Sequence, residues 1–481
     1  MNPERWMDRL EDLVVLRDRL RLRTLRETAP LQLKDLYSRF KEYIDIEHIH
    51  THVRALRERY AVIPIDGIAA YRVAFWLGLE AATIATLQPV REGWTAETLP
   101  GSGHTLAEAW WQVRCTGDRD RVVEFIQGID RLNPLRLQWW THWQVTLKSW
   151  RIPNGYTLLE RWQGWDLDLW DRIARDYLDA REDAYSEGYH AVLQPESSER
   201  LPHWSLWWQR MADFGTDWTI LHALDTHGPM RLWQDRLDVQ DTGTVDIAWY
   251  AMEPARAPAV PVTLFDGDRL WLVRGPAMGN WLDVWERLYL WGLAQVAMWT
   301  PLNYRWTRLA GGDPAIRIGW GFWVARWMCR PGFWRAVDLE DVWDTQRIVL
   351  QAWDHLYGRW LAAITVHTLE AQRWNTRSLD RFLHDVRVDL QRRLGLAVEP
   401  ECVVPWVIHR GWPIRDFRAW IFAEGVHRYL EDRFGTDWWR ERMVRHLLMD
   451  LWHAGTDPTV EDLLKDLGLP VDQLAEGSAG R

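Results

Sequence analysis

Residues 260–299, VPVTLFDGDRLWLVRGPAMGNWLDVWERLYLWGLAQVAMW, decide the fold. Asp266-Gly267 separates two short runs rich in β-branched and aromatic residues, which predicts a β-hairpin. Glycines then interrupt the strand pattern, and apolar residues recurring at three- and four-residue spacings predict a helix over 280–299. We therefore expect a small antiparallel sheet at 244–273, followed directly by a long apolar helix.

The rest of the chain is predicted to be almost entirely helical, because the same three- and four-residue spacings recur along it. Further long helices are expected at 313–329, 340–370, 378–394, 414–434 and 436–454. Asp457-Pro458 is expected to begin a last short helix, with Asp457 as its N-cap. The composition of 194–202 predicts a loop. The predicted organisation is an N-terminal helical region at 1–150, a region containing the sheet at 151–469, and a polar tail at 470–481.

The composition is that of a soluble globular protein, with 47% hydrophobic and 26% charged residues among 481. A net charge of -10 argues against a general nucleic-acid binder, though not against a local basic groove. Three cysteines exclude a disulfide scaffold and are expected to be buried, inert thiols. The longest uncharged run, Leu288 to Tyr304, is shorter than the roughly 20 residues of a membrane span. The predicted location is the cytoplasm, with neither nucleic acid nor membrane as a partner.

A set of motifs in a shared order resembles the M3-type zinc peptidases, the oligoendopeptidase F relatives within the thermolysin-like group. The motifs are Gly164-Trp-Asp-Leu167, Asp179-Ala-Arg-Glu-Asp-Ala-Tyr185, Phe417-Arg-Ala-Trp-Ile-Phe-Ala-Glu424 and Tyr429-Leu-Glu-Asp-Arg-Phe-Gly435. The resemblance covers roughly 151–469. It implies a large helical body with a central cleft, and a zinc site on the helix that follows the hairpin.

The zinc motif of that family is His-Glu-x-x-His, with a third ligand on the following helix. Two histidines at i and i+4 share one helical face and bind Zn²⁺, while the glutamate activates the metal-bound water. The positions that resemble the two histidines are Tyr289 and Leu293, and the general-base position is Leu290. The third ligand position is Ile318. No His-Glu-x-x-His occurs anywhere in the chain, so we predict a degenerate site without metal or other cofactor and without catalytic residues.

Tryptophan is unusually abundant, with 38 residues against 13 Tyr and 11 Phe. It is dense around the predicted site, where Trp320 and Trp323 share a helical face. One interpretation is a packed aromatic core. The other is a cleft lined by indoles that binds a peptide or a small apolar or aromatic ligand. The candidate ligand-binding residues are Trp285, Trp291, Trp320, Trp323 and Trp412.

Two further patterns have simpler interpretations. His48 and His52 share a helical face and could bind a metal, but a surface histidine cluster is the favoured interpretation. The first helix, from Glu4 to Glu27, mixes Arg with Asp and Glu, which is typical of a solvated helix with i,i+4 ion pairs.

The function predicted from the sequence is a catalytically inactive peptidase homologue whose Trp-rich cleft binds a ligand. One alternative is an enzyme of different chemistry in the same cleft, which requires ionisable residues with perturbed pKa values facing the cavity. The sequence shows no such group near Tyr289. The other alternative is a structural or interaction protein whose cleft is filled beside Leu290, Leu293 and Ile318.

Overall fold

The computed structural model describes residues 2–27, 32–60, 62–95, 98–99, 102–193, 203–204, 245–267, 269–373 and 378–476. The loop predicted at 194–202, the start of the predicted sheet at 244 and the end of the predicted tail at 477–481 lie outside the described residues.

Helices make up most of the described chain, as predicted. Those before the sheet, numbered in chain order, are α1 (Pro3–Glu27), α2 (Leu33–Arg39), α3 (Lys41–Ile44), α4 (Ile46–Arg59), α5 (Ile65–Thr95), α6 (Leu106–Thr116), α7 (Arg119–Ser149), α8 (Gly155–Leu158), α9 (Leu167–Ala180) and α10 (Glu182–Leu193). Those after it are α11 (Trp281–Trp299), α12 (Arg305–Gly311), α13 (Pro314–Arg326), α14 (Pro331–Ala336), α15 (Glu340–Gln372), α16 (Leu379–Leu394), α17 (Pro400–Val407), α18 (Trp412–Phe434), α19 (Arg442–His453), α20 (Val460–Asp466) and α21 (Val471–Glu476).

The small sheet precedes the long apolar helix, as the sequence predicts, but it is mixed rather than antiparallel. Its strands are β1 (Asp246–Ala251), β2 (Val262–Asp266) and β3 (Arg269–Arg274), in the spatial order β1-β3-β2. The hairpin between β2 and β3 is antiparallel and turns at Gly267, whose φ of +61° suits glycine. The chain crosses from β1 to the far edge before returning, and so β1 runs parallel to β3.

The helix after the sheet, α11, lies in direct backbone contact with α13. Gly292 makes this possible, because a Cβ atom there would collide with the carbonyl oxygen of Trp320. A Cβ on Gly321 would lie 2.8 Å from the ring of Tyr289. Asp313 caps α13 by accepting a hydrogen bond from the backbone N–H of Ala315 at 3.1 Å. The two helices therefore pack closely at Gly292 and Gly321, next to the predicted site positions.

Many of the most deeply buried large side chains are aromatic. Among the described residues, the largest side chains with almost no exposure are Trp6, Trp143, Trp170, Trp320, Trp323, Trp327, Trp420, Trp438, Trp439, Trp452 and Arg326. Burying such side chains contributes the main favourable term in folding, at about 25 cal/mol per Å² of apolar surface. The core interpretation of the tryptophans is therefore correct for these positions.

A buried ion-pair cluster ties α13, α15 and α18 together. Arg326 donates two hydrogen bonds to Asp354, at 2.6 and 2.7 Å, and a third to Glu424 at 2.7 Å. Its guanidinium carbon lies 3.9 Å from the centre of the Trp420 ring. Coulomb attraction and these hydrogen bonds offset the cost of removing three charges from water.

One described helix, α5, is long and apolar enough by composition to cross a membrane. It is a different segment from 288–304, the longest uncharged run in the sequence. Within α5, 61% of the most apolar window is buried by the protein itself, which is compatible with a soluble core helix.

Several element boundaries differ from the prediction near the C-terminus. The helix predicted at 436–454 is instead a short 3-10 turn, Trp438–Arg440, followed by α19. The N-cap of α20 is Thr459, which forms a capping box with Asp462, so Asp457 is not the cap. The predicted polar tail contains α21, whose Val471 and Leu474 are buried.

Candidate functional site

The four positions predicted to correspond to the zinc ligands and the general base lie on α11 and α13, which pack against each other. Leu290 and Leu293 are buried in the hydrophobic core. Tyr289 and Ile318 are half-buried and pack against that core. Tyr289 stacks on Trp285 with ring centres 5.5 Å apart. Alkyl side chains cannot coordinate a cation or activate water, so the residues present at these positions do not fit a zinc site.

Polar side chains from three helices surround Tyr289, contrary to the sequence-based expectation of no ionisable group there. They are Arg317 on α13, Tyr357 on α15, and the ion pair Arg415–Asp416 on α18, whose Nε and Oδ1 atoms are 2.7 Å apart. Each is half-buried, so water reaches it. Their spacing along the chain is irregular, which is why the sequence did not reveal this group.

Burial perturbs the pKa values of this group. It raises the pKa of the phenols of Tyr289 and Tyr357 above the ordinary value. Burial also raises the pKa of Asp416, although the neighbouring Arg415 opposes that shift. Desolvation by burial lowers the pKa of Arg317 to about 10. These side chains are strongly desolvated and yet partly exposed, and we call the region between them the central cleft.

Another ionisable group comes from α1, α2 and α5, and we call it the opposite wall of the cleft. The Glu80 carboxylate accepts a hydrogen bond from the Tyr37 hydroxyl at 2.7 Å. It also pairs with Arg91 at 3.2 Å and with Arg410, which follows α17, at 3.4 Å. Burial alone would raise the pKa of Glu80, but the surrounding arginines, led by Arg91, hold it well below the ordinary value.

Asp18 on α1 forms a second ion-pair group at this wall. Its carboxylate pairs with Arg17 at 3.0 Å and with Arg21 at 3.5 Å, and it accepts a hydrogen bond from the backbone N–H of Phe265 at 3.4 Å. The sequence predicts that α1 is solvated, but Asp18 is buried, so that prediction is wrong for this face of the helix. Arg317 interacts electrostatically with Asp18 and Arg17, which links the two walls.

The five candidate tryptophans occupy different environments. Trp320 and Trp323 are fully buried, and Trp285 and Trp291 are buried almost as completely. Trp412 is half-buried, with its ring centre 6.0 Å from that of Trp360. Ligand binding by the five remains a prediction, and of these residues Trp412 has the most accessible ring.

The histidine pair on α4 is split between two environments. His52 is buried and stacks on Trp6, with ring centres 5.0 Å apart, while His48 is exposed. The favoured interpretation of a surface cluster is therefore wrong for His52, because its ring packs into the core. Within the described ranges, no three His, Cys, Asp or Glu side chains come together as a set that could hold a metal ion.

The thiols are buried or nearly so. Cys329 and Cys402 are buried and Cys115 is half-buried. Burial raises the pKa of Cys115 to about 12, so its reactive thiolate is scarce at neutral pH.

A separate cavity of about 300 Å³ lies between α9, α15 and α16, away from the central cleft. His367 lines it, with Nε2 2.9 Å from Asp389 and Nδ1 3.3 Å from Glu370. Burial lowers the pKa of His367, but the hydrogen bonds to Asp389 and Glu370 outweigh burial and raise it above the ordinary value.

This ion pair predicts a pH dependence of stability. The folded state binds the His367 proton more tightly than the unfolded state. Its contribution is therefore fully present below the unfolded pKa of about 6.5 and is lost as pH rises through the folded pKa. We expect the stability difference between the natural protein and His367→Gln, measured by urea unfolding, to shrink between about pH 6 and 9. A difference that is constant across this range would contradict the assignment.

Comparison with solved structures identifies the class of fold. A crystal structure from Bacillus anthracis str. Ames, described as an oligoendopeptidase F, matches with a TM-score of 0.56 and 10% sequence identity. The match covers 94% of this chain and 82% of that chain. Trypanosoma cruzi metallocarboxypeptidase 1 matches with a TM-score of 0.58 and 11% identity, covering 98% of both chains. PZ peptidase A matches with a TM-score of 0.55 and 10% sequence identity, covering 93% of this chain and 82% of that chain. The fold is therefore that of the M3 oligoendopeptidase-like peptidases. No family model and no curated protein matches the sequence.

Proposed function

We propose that this protein is a peptidase-fold binding protein that does not hydrolyse peptides through zinc, and that its central cleft binds a ligand. One observation carries the proposal. Positions that resemble the zinc ligands and the general base hold Leu290, Leu293 and Ile318, whereas the cleft beside them retains polar, water-accessible groups. The proposed site has lost the side chains needed to bind zinc, but polar side chains that could contact a ligand still line the cleft.

The partial exposure of Tyr289 and Ile318 argues against a completely filled cleft. Trp412 and Trp360 present half-buried indoles. Such rings bind apolar and aromatic groups by burial of surface and by stacking. A peptide or a small molecule with an aromatic part suits this wall.

The test combines hydrolysis with binding. The pure protein, supplied with zinc, is expected to leave a mixed peptide library intact, and addition of a chelator is expected to change nothing. In equilibrium dialysis against the same library, the protein is expected to retain bound peptides, and Trp412→Ala is expected to weaken this retention about tenfold or more. Trp249→Ala, at an exposed site on β1, is the control. Chelator-sensitive hydrolysis would overturn the proposal.

A second candidate, an enzyme of different chemistry, is favoured by the perturbed group of Tyr289, Tyr357 and Asp416. A carboxyl with a raised pKa beside two phenols is the kind of arrangement used in general acid–base chemistry. Product formed from a cleft ligand, and lost in Asp416→Asn, would favour this candidate over simple binding.

A further inference from the structure

The central cleft carries more positive than negative charge. We define the arginine cluster as Arg17, Arg21, Arg91, Arg317, Arg410 and Arg415. Five of the six guanidinium groups, all except that of Arg317, pair with only three carboxyl groups, those of Asp18, Glu80 and Asp416. The chain as a whole has a net charge of -10, so the excess of positive charge in the cleft is local.

Arg317 is the least compensated member of the cluster. Its side chain donates a hydrogen bond to the Thr263 hydroxyl and lies 5.3 Å from the centre of the Phe265 ring. No carboxylate pairs with it within the part of the chain that the structure describes. Burial lowers the pKa of Arg317 to about 10; Asp18 attracts its charge without pairing with it, and Arg415 and Arg17 repel it.

Arg21 and Arg410 show the same imbalance. Burial lowers the pKa of Arg21, and the neighbouring Arg17 and Arg91 lower it further. Burial also lowers the pKa of Arg410, despite its contact with Glu80. The Nη2 atom of Arg410 is buried and has no hydrogen-bond partner among the described residues. A buried donor without an acceptor costs about 1–3 kcal/mol, which an anionic ligand would recover.

Aromatic rings accompany these charges. The Arg410 guanidinium carbon lies 5.2 Å from the centre of the buried Trp139 ring. Stacking of this kind fixes the orientation of a guanidinium fork, and such forks match the oxygen pairs of carboxylates and phosphates.

We propose that the central cleft binds a small organic polyanion, with carboxylate or phosphate groups seated on Arg317 and the neighbouring members of the arginine cluster. The proposal rests on the proposed function, ligand binding in this cleft, and names the class of ligand. A compound of low molecular mass is favoured because the guanidinium groups lie between helices rather than on the outer surface.

Isothermal titration calorimetry with pyrophosphate and with citrate tests this directly, in a buffer free of other polyanions. Binding of pyrophosphate alone, of citrate alone or of both supports the proposal and tells whether phosphate or carboxylate is preferred. Binding of neither would overturn it. If neither anion binds while library peptides are retained, the polyanion proposal fails and the proposed function stands. Chelator-sensitive hydrolysis would instead remove the proposed function, whatever the anions do.

Two variants separate recognition from structural pairing. Arg317→Gln and Arg21→Gln are each expected to weaken anion binding about tenfold to a hundredfold, because one charge-assisted hydrogen-bond donor is removed. Both are also expected to raise Tm in the absence of anions, since repulsion and desolvation are relieved. Arg23→Gln is the matched control on the same helix, because Arg23 is 62% exposed against 30% for Arg21. A lower Tm with unchanged affinity would contradict the proposal.

Discussion

Replacing Arg326 with methionine is expected to lower the free energy of unfolding by about 3–5 kcal/mol. The substitution removes the cation that pairs with both Asp354 and Glu424, and these two carboxylates are buried. Glu424 retains a contact with Arg330 at 3.1 Å, whereas Asp354 has no second cation within hydrogen-bonding distance in the described chain. Methionine fills most of the volume, so the loss comes chiefly from the unpaired carboxylate. Urea unfolding of both proteins at neutral pH measures the difference in the free energy of unfolding.

The control is Arg9→Met, which removes an ion pair of similar length at the surface of α1. Arg9 and Asp12 lie 3.2 Å apart but are about half-exposed, and such pairs contribute roughly 0–1 kcal/mol. Arg326→Met combined with Asp354→Leu is expected to recover part of the loss, because the buried charge is then removed. Equal effects of Arg326→Met and Arg9→Met would show that the buried cluster contributes little.

The second large effect is a gain of zinc binding. A variant with Tyr289→His, Leu293→His and Ile318→Glu places three ligands on the facing surfaces of α11 and α13. Tyr289 contacts Gly321, which is on the same face of α13 as Ile318 one turn earlier. Without metal the variant is expected to be less stable, because a histidine at position 293 is buried without a partner. Zinc at one hundred times its Kd is expected to restore about 2.7 kcal/mol.

The matched control keeps Leu293 and carries only Tyr289→His and Ile318→Glu, at the two half-buried positions. Two ligands are expected to bind zinc far more weakly than three. Thermal unfolding with and without zinc compares the variants. A folded triple variant that zinc does not stabilise would mean that these positions do not correspond to a zinc site.

Much of the architecture around the site could be predicted from the sequence. Periodicity placed both ends of α11 and the start of α13 within one residue, although α13 ends at Arg326 and 327–329 form a 3-10 turn; Asp266-Gly267 placed the hairpin. The parallel pairing of β1 with β3 was missed, because strand order after a crossover leaves no local pattern. The Thr459 cap was missed because Asp457-Pro458, just before it, also fits the pattern of an N-cap residue followed by proline at the first helical position.

The site was only half visible in the sequence. The apolar residues at 289–293 could be read because they follow one helix. The arginine cluster could not, since its members come from α1, α5, α13, α18 and the segment after α17, with no shared spacing. The mixed charges of α1 resembled a solvated helix, and only the buried Asp18 reveals that this face meets the cleft.

Metal content of protein purified without affinity tags or chelators tests the central claim most directly. Mass spectrometry is expected to find no stoichiometric zinc or other transition metal, because Leu290, Leu293 and Ile318 supply no ligand atoms at the positions predicted to correspond to a zinc site. One equivalent of zinc per chain, retained through dialysis, would contradict this account.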